Sequence, residues 1–297
     1  MKLIYEIHKS WKPTFTNFGD ELNLWIWPRL IGDLLDDDES VLLVGIGTVL
    51  DDTLPAQPLK VIFGAGNGYR PLPAIDESFR FYFVRGPLTA KALGLPASCA
   101  VTDPAVLIAK LLPGPGGLRR KGVVLMGHYT SAMHADWSFA CRELGMTYIH
   151  PLWPWERVLE SLRGAELVVA EAMHGAIVAD ALRVPWVPVI TSASQCSFKW
   201  RDWTQSLGLK YEPIKLPALW DQSAPPASRL SRARRWIKRG LFLRKMTAAK
   251  LAAHTQLSSE SIINARTDRL MEEVEKLKRD AVREGWVRFG KEASGAF

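Results

Sequence analysis

The stretch "EAMHGAI", residues 171–177, places a histidine, His174, directly before Gly175. The apolar run "AELVV" precedes it, and "ADALRVPW" leads on to a second apolar run, "VPVI". This succession predicts a strand, a tight turn, a helix and another strand. An imidazole at such a turn can take or give a proton, and the positive end of the helix macrodipole favours its neutral form near pH 7. Glu171, three residues earlier, is placed to hold the ring or to offset the dipole. A second carboxylate, Asp103 in "TDPAVL", stands at a strand end before a proline, as a base, an orienting group or a helix cap.

Groups suited to an anion occur elsewhere. "NFGDELN" (Asn17, Asp20), "GIGTVLDD" (Gly47, Thr48) and "GAGNG" (Gly66, Asn67) each put glycine where a strand ends, so that backbone N–H groups can approach an anion closely. None fits the Walker pattern, and no GxGxxG opens a helix after the first strand. "FVRGPLTAKALG" sets Arg85 at a strand end, where a guanidinium can grip a carboxylate or phosphate with paired hydrogen bonds. "CSFKWRDW" reads as a loop after a strand, its cations Lys199 and Arg201 set among aromatic rings, an arrangement suited to a ring-bearing anion. "KGVVLMGHYTS" adds His128 beyond another strand.

The elements that must carry these groups alternate along the chain. "KLIYEI", "SVLLVGIGT", "LKVIFGAGNG" and "FRFYFVRG" read as strands, and "PLTAKALGL" as a helix. "GDELNLWIWPRLIGDLL" has helical spacing that Pro28 should kink or restart. "PGPGG" at 113–117 is the clearest linker, after which strand–helix alternation resumes. The expected division is residues 1–113 and 114–225 as two α/β domains, 226–256 as a basic amphipathic segment, and 257–297 as a helix and tail. In that helix Ile263, Leu270, Val274, Leu277 and Ala281 form one face. With 297 residues, 47% apolar and 23% charged, the composition is that of an ordinary globular α/β protein.

The net charge of +7 favours anionic partners. Within "SRLSRARRWIKRGLFLRKMTAAK" no acidic residue interrupts the arginines and lysines, which suits an anionic membrane face better than nucleic acid. The three cysteines form no metal-ligand spacing and read as buried thiols in a reducing compartment. No secretory leader and no apolar run long enough to span a bilayer is read, so the expected location is cytoplasmic.

Taken together, "NFGDELN", "GIGT", "VRGPLTAKALGL", "DPAVLI", "HPLWPWERVLESLRGAELVVAEAMHGAIVADALRVPW" and "FKWRDWTQSLGL" resemble the polysaccharide pyruvyl transferases, in matching order over roughly residues 1 to 220. The resemblance implies two Rossmann-like domains facing across a cleft, as in GT-B glycosyltransferases. It implies transfer of pyruvate from phosphoenolpyruvate to a sugar of a lipid-linked repeat unit at the inner membrane face, with no nucleotide cofactor and no catalytic metal. The family histidine maps onto His174. Many members carry an arginine two residues earlier, where this chain has Ala172, so Arg85, Lys199 or Arg201 must supply that cation. Two other readings are a glycosyltransferase using a nucleotide sugar and a non-catalytic glycan-binding protein at the membrane. The first lacks a convincing carboxylate pair to hold a ribose.

Overall fold

The structure is a computed structural model that describes residues 1–6, 16–114, 119–134, 137–192, 195–218 and 226–286. The "PGPGG" linker lies largely outside the described residues, as does the end of the tail. The first half contains β1 (Lys2–Ile4), α1 (Phe18–Ile31), β2 (Val41–Val44), β3 (Leu59–Phe63), β4 (Phe79–Phe83) and α2 (Pro87–Ala92). A 3₁₀ turn at Pro104–Leu107 then leads into the short α3 (Ile108–Leu111). The second half runs β5 (Val123–Met126), α4 (Tyr129–His134), α5 (Trp137–Leu144), β6 (Thr147–Ile149), α6 (Trp155–Arg163), β7 (Leu167–Ala170) and α7 (Met173–Ala181). It continues with β8 (Trp186–Ile190), α8 (Ser197–Ser206), β9 (Ile214–Lys215), α9 (Arg229–Lys245), α10 (Ala248–His254) and α11 (Glu260–Arg283).

Both sheets are parallel, with strand orders β1-β2-β3-β4 and β6-β5-β7-β8-β9. Short apolar strands such as "VLLV" and "LVVA" suit parallel sheets because helices cover both faces. In the second sheet, connections leave β5 toward β6 on one side and β7 on the other. That reversal opens a crevice beyond the carboxyl ends of β5 and β7, the place where doubly wound sheets bind ligands.

Helix α1 is continuous through Pro28 and does not restart there. Proline removes only the N–H that would meet the Leu24 carbonyl, and Leu24 is half exposed, so water can replace that bond. The Arg29 guanidinium also reaches back 2.9 Å to the Trp25 carbonyl. At the other end, the Asn17 side chain accepts from the Gly19 and Asp20 amides and caps the helix.

"CSFKWRDW" is helical, not a loop. Residues 199, 200, 203 and 207 bury at helical spacing, and α8 packs on α2. Its Asp202 is wholly buried against the first half, accepting from the Leu88 and Thr89 amides at 2.9 Å each and from the Thr89 hydroxyl at 2.6 Å. The same carboxylate meets Arg85 Nε at 3.1 Å. A residue from one half thus caps a helix of the other, whose own N-cap, Gly86, offers no side chain. A Cβ at Gly86 would lie 2.0 Å from the Asp202 carbonyl, so only glycine permits this approach.

The predicted apolar face of α11 is buried at all five expected positions. This helix, about 36 Å long at 1.5 Å per residue, lies against β4, α1 and the 3₁₀ turn of the first half. Tyr82 donates to Asp280 at 2.8 Å, and Arg266 donates to the Ser206 carbonyl at 3.0 Å. Buried Asp180 on α7 fixes its start by accepting from the Ser258 amide and the Trp186 indole, at 2.9 and 2.8 Å. Among the cysteines only Cys141 is buried; Cys99 and Cys196 are partly exposed, and all three are free thiols.

Removing the Asp202 carboxylate leaves Arg85 charged and unpaired in the interior. Asp202→Ala is therefore expected to cost about 3–5 kcal/mol in urea denaturation, whereas Ala at its exposed neighbour Arg201 should change stability by less than about 0.5 kcal/mol.

Candidate functional site

The carboxyl ends of both sheets line one cavity of about 440 Å³. From the second sheet come His128 and Tyr129 beyond β5, Pro151 beyond β6, Ala172 and His174 beyond β7, and Gln195 and Lys199 beyond β8. From the first come Glu6 beyond β1, Asn17, Gly19 and Asp20 at the start of α1, Gly47, Thr48 and Asp51 beyond β2, and Tyr69 and Arg70 beyond β3.

His174 is the second residue of α7 and is largely buried. Its Nε2 faces Asp103 Oδ2 at 3.6 Å, too far for a hydrogen bond, and neither atom has another partner. Asp103 Oδ1 meanwhile accepts from the Ala105 amide at 2.9 Å, which fixes the carboxylate at the head of the 3₁₀ turn. The other edge of the ring rests on α1: a Cβ at Gly19 would lie 2.0 Å from Nδ1. Two helix N-termini, those of α1 and α7, and the Asp103 carboxylate therefore converge on the imidazole.

Glu171 does not hold that ring. It is buried, and its oxygens accept from the His128 amide at 2.9 Å, the Thr191 amide at 3.1 Å, and the hydroxyls of Ser131 and Thr191. One carboxylate thereby ties together the loops after β5, β7 and β8. The sequence separation from His174 concealed this, because the residue following a strand turns away from its neighbours on the next helix.

Arg85 is likewise not a cavity group. It is sealed beneath the wall, bonded to Asp202, to Thr48 Oγ1 at 3.0 Å and to the Asn67 carbonyl at 2.7 Å. Its guanidinium occupies the space a Gly66 side chain would need, with Cζ 2.2 Å from that Cβ. Gly66 and Asn67 shape this support rather than the lining, and the Asn67 side chain donates to the Leu50 carbonyl at 2.9 Å. Gly175 packs on Met126 Sδ, 2.8 Å from the position of a Cβ. Arg201 is exposed and bonds back to Ser197.

Lys199 does reach the cavity. Its ammonium donates to Tyr69 Oη at 2.7 Å, and burial, reinforced by the positive charge of Arg85, lowers its pKa to about 8. Gly47, with φ +133°, lets the loop after β2 turn into the wall and accepts from the Gly66 amide at 2.9 Å. Sequence reasoning missed Tyr69 and Arg70, though they directly follow "GAGNG", and Gln195, whose amide oxygen and nitrogen are both buried without partners. Among the described residues no group of three or more His, Cys, Asp or Glu is arranged to hold a metal ion.

Residues 17–193 match the family described as polysaccharide pyruvyl transferase, which is more than half of the chain. This chain belongs to that family. It is also similar to the succinoglycan biosynthesis protein ExoV of Rhizobium meliloti (strain 1021), 42% identical over 211 residues. That match covers 70% of this chain and 66% of the relative, just under two thirds of the relative's length. The family match begins at the cap of α1 and ends just beyond β8, so it takes in His174, Asp103 and most of the cavity wall.

With the Lys199 ammonium losing its proton near pH 8, anion binding in the cavity should weaken as pH rises through that value. Calorimetric titration with inorganic phosphate between pH 6.5 and 9.5 checks this, and Lys199→Arg, which keeps its charge, should flatten the upper limb.

Proposed function

We propose that this protein transfers the pyruvate moiety of phosphoenolpyruvate to a sugar of a lipid-linked exopolysaccharide repeat unit, forming a cyclic ketal and releasing phosphate. The observation that carries this reading is the imidazole–carboxylate pair of His174 and Asp103, unpartnered at Nε2 and Oδ2, beside a cavity in a pyruvyl transferase chain. The two α/β halves, 1–113 and 114–225, then act as a GT-B-like pair holding the substrates between their sheets.

The donor carries a phosphate and a carboxylate, and the cavity offers matching groups. Helix α7 opens on Ala172 with no side-chain cap; the Gly175 amide bonds the Ala172 carbonyl at 3.0 Å, which leaves the Met173 and His174 amides for an anion. Lys199 adds positive charge in place of the arginine expected at Ala172, beside Arg70, which is paired with Asp51 at 3.7 Å, and Gln195 supplies an amide awaiting a polar partner.

Protonation of the donor's methylene carbon makes its central carbon electrophilic. One acceptor hydroxyl attacks that carbon, the bond to the phosphate oxygen breaks, and a second hydroxyl closes the ring. The acceptor loses two protons: one replaces the proton given to the methylene, which becomes a methyl, and the other departs with phosphate. His174 gives the first proton, is neutral between the two transfers and recovers its proton from the attacking hydroxyl, with Asp103 stabilising the charged ring before the first transfer and after the second.

Helix α9 supports a site at the membrane surface. Leu230, Trp236, Ile237 and Leu241 are exposed along it, with Trp236 at 75%, while Phe242 on the opposite side is buried. Arg229, Arg234 and Arg244 flank that apolar stripe, and each basic residue near an anionic bilayer contributes about 1 kcal/mol. Among the described residues no helix is long and apolar enough to cross a membrane, so this contact would be peripheral, at the inner face where phosphoenolpyruvate is found.

His174→Ala should lower acceptor-dependent phosphate release from phosphoenolpyruvate by ~10²–10⁴-fold with the melting temperature little changed; release that survives the substitution would refute the assignment. Trp236→Glu combined with Ile237→Glu should abolish co-sedimentation with phosphatidylglycerol vesicles.

A further inference from the structure

A second cavity, of about 480 Å³, lies beside the first and falls within the ~300–1,000 Å³ of small-molecule sites. Its lining comes from α1 (Glu21, Leu24, Trp25) and from the segment that starts α6 (Leu152, Pro154, Trp155, Glu156). Both segments continue directly from the candidate site. Asp20 lines the first cavity and Glu21 the second, and Pro151 lines the first while Leu152 lines the second. The Phe18 amide bonds the Pro151 carbonyl at 3.0 Å and holds the two segments together at that junction.

The chemistry of this groove differs from that of its neighbour. It holds two indoles, with Trp25 and Trp155 centroids 5.1 Å apart and planes tilted by 48°. The Arg29 guanidinium covers one face of Trp25 at 4.3 Å, and the Trp25 indole nitrogen is buried with no partner. Trp155 is only half-buried and Leu24 is half exposed. The ionisable lining groups are the carboxylates of Glu21 and Glu156, which repel phosphate, acidic lipid headgroups and nucleic acid. Carboxylates accept hydrogen bonds from hydroxyls, and indole faces take flat apolar C–H surfaces. A neutral pyranose presents both.

We propose that the Trp25–Trp155 groove is a carbohydrate subsite that binds the sugar next to the one being modified, with Trp155 as its stacking platform and Glu21 and Glu156 as hydroxyl acceptors. This deepens, and rests on, the reading of the first cavity as the site of pyruvyl transfer. An acceptor chain that enters along α6 reaches His174 past Pro151. Recognition of the second sugar then selects oligosaccharides over free monosaccharides.

Saturation-transfer NMR with the full chain and a ladder of β-1,4-linked glucose oligomers tests this without any turnover. Equatorial hydroxyls give those sugars flat C–H faces, so they are a direct probe of stacking. Cellotetraose should bind at least tenfold more tightly than glucose, with the strongest transfer to ring C–H protons. Trp155→Ala should erase the gain, Trp155→Phe should restore most of it, and Glu156→Gln should reduce it severalfold; melting curves confirm that each variant is folded. No gain with chain length, or a gain that survives Trp155→Ala, overturns the proposal. If oligosaccharide binding depends on Trp155 but no acceptor supports phosphate release, the groove stands and the assigned reaction fails.

Discussion

An imidazole from one half of the chain is wedged between a carboxylate and a glycine of the other. His174 rises from the turn after β7, Asp103 heads the 3₁₀ turn after the first sheet, and Gly19 lies in the first turn of α1. The ring contacts neither through a hydrogen bond at its Nε2, yet it has no room to turn toward α1. Three further contacts fix this arrangement. The cap at Asn17 fixes the start of α1, the Ala105 amide fixes Asp103, and Met126 packs beneath Gly175 to seat α7. Two helix ends and one carboxylate thus meet at the imidazole, the group proposed to move the proton.

Two buried carboxylates hold the surrounding frame. Asp202 crosses from α8 to cap α2 and pair with Arg85, and Arg85 in turn braces Thr48 in the cavity wall. Glu171 binds the loops after three strands of the second sheet. Neither carboxylate lines the cavity; each fixes the positions of the groups around it. Their full burial is tolerated because each carboxylate is surrounded by donors, most of them backbone amides and hydroxyls.

The alternation of strands and helices was legible because apolar runs and helical spacing are local properties. "HGAIVADALRVPW", the face of α11 and the helix at 155–163 all fold as their patterns require. The location of His174 at a helix mouth on the cavity followed from the same pattern. Partnership was not legible. Arg85 and Glu171 carry the chemistry of ligand-binding residues, but their partners lie 117 and up to 43 positions away in sequence. The helical nature of "CSFKWRDW" was readable in the spacing of Trp200, Trp203 and Leu207 and was masked by its cations. Conversely, Gln195 and Arg70 carry no motif, and only the convergence of strand ends brings them to the cavity.

A crystal structure with a non-reactive phosphoenolpyruvate analogue tests the central claim most directly. The account predicts the analogue's phosphate against the first-turn amides of α7 and Lys199, with its methylene carbon facing the His174 ring. An analogue bound elsewhere, or bound in the cavity with that ring turned wholly toward Asp103 and out of reach, would contradict it.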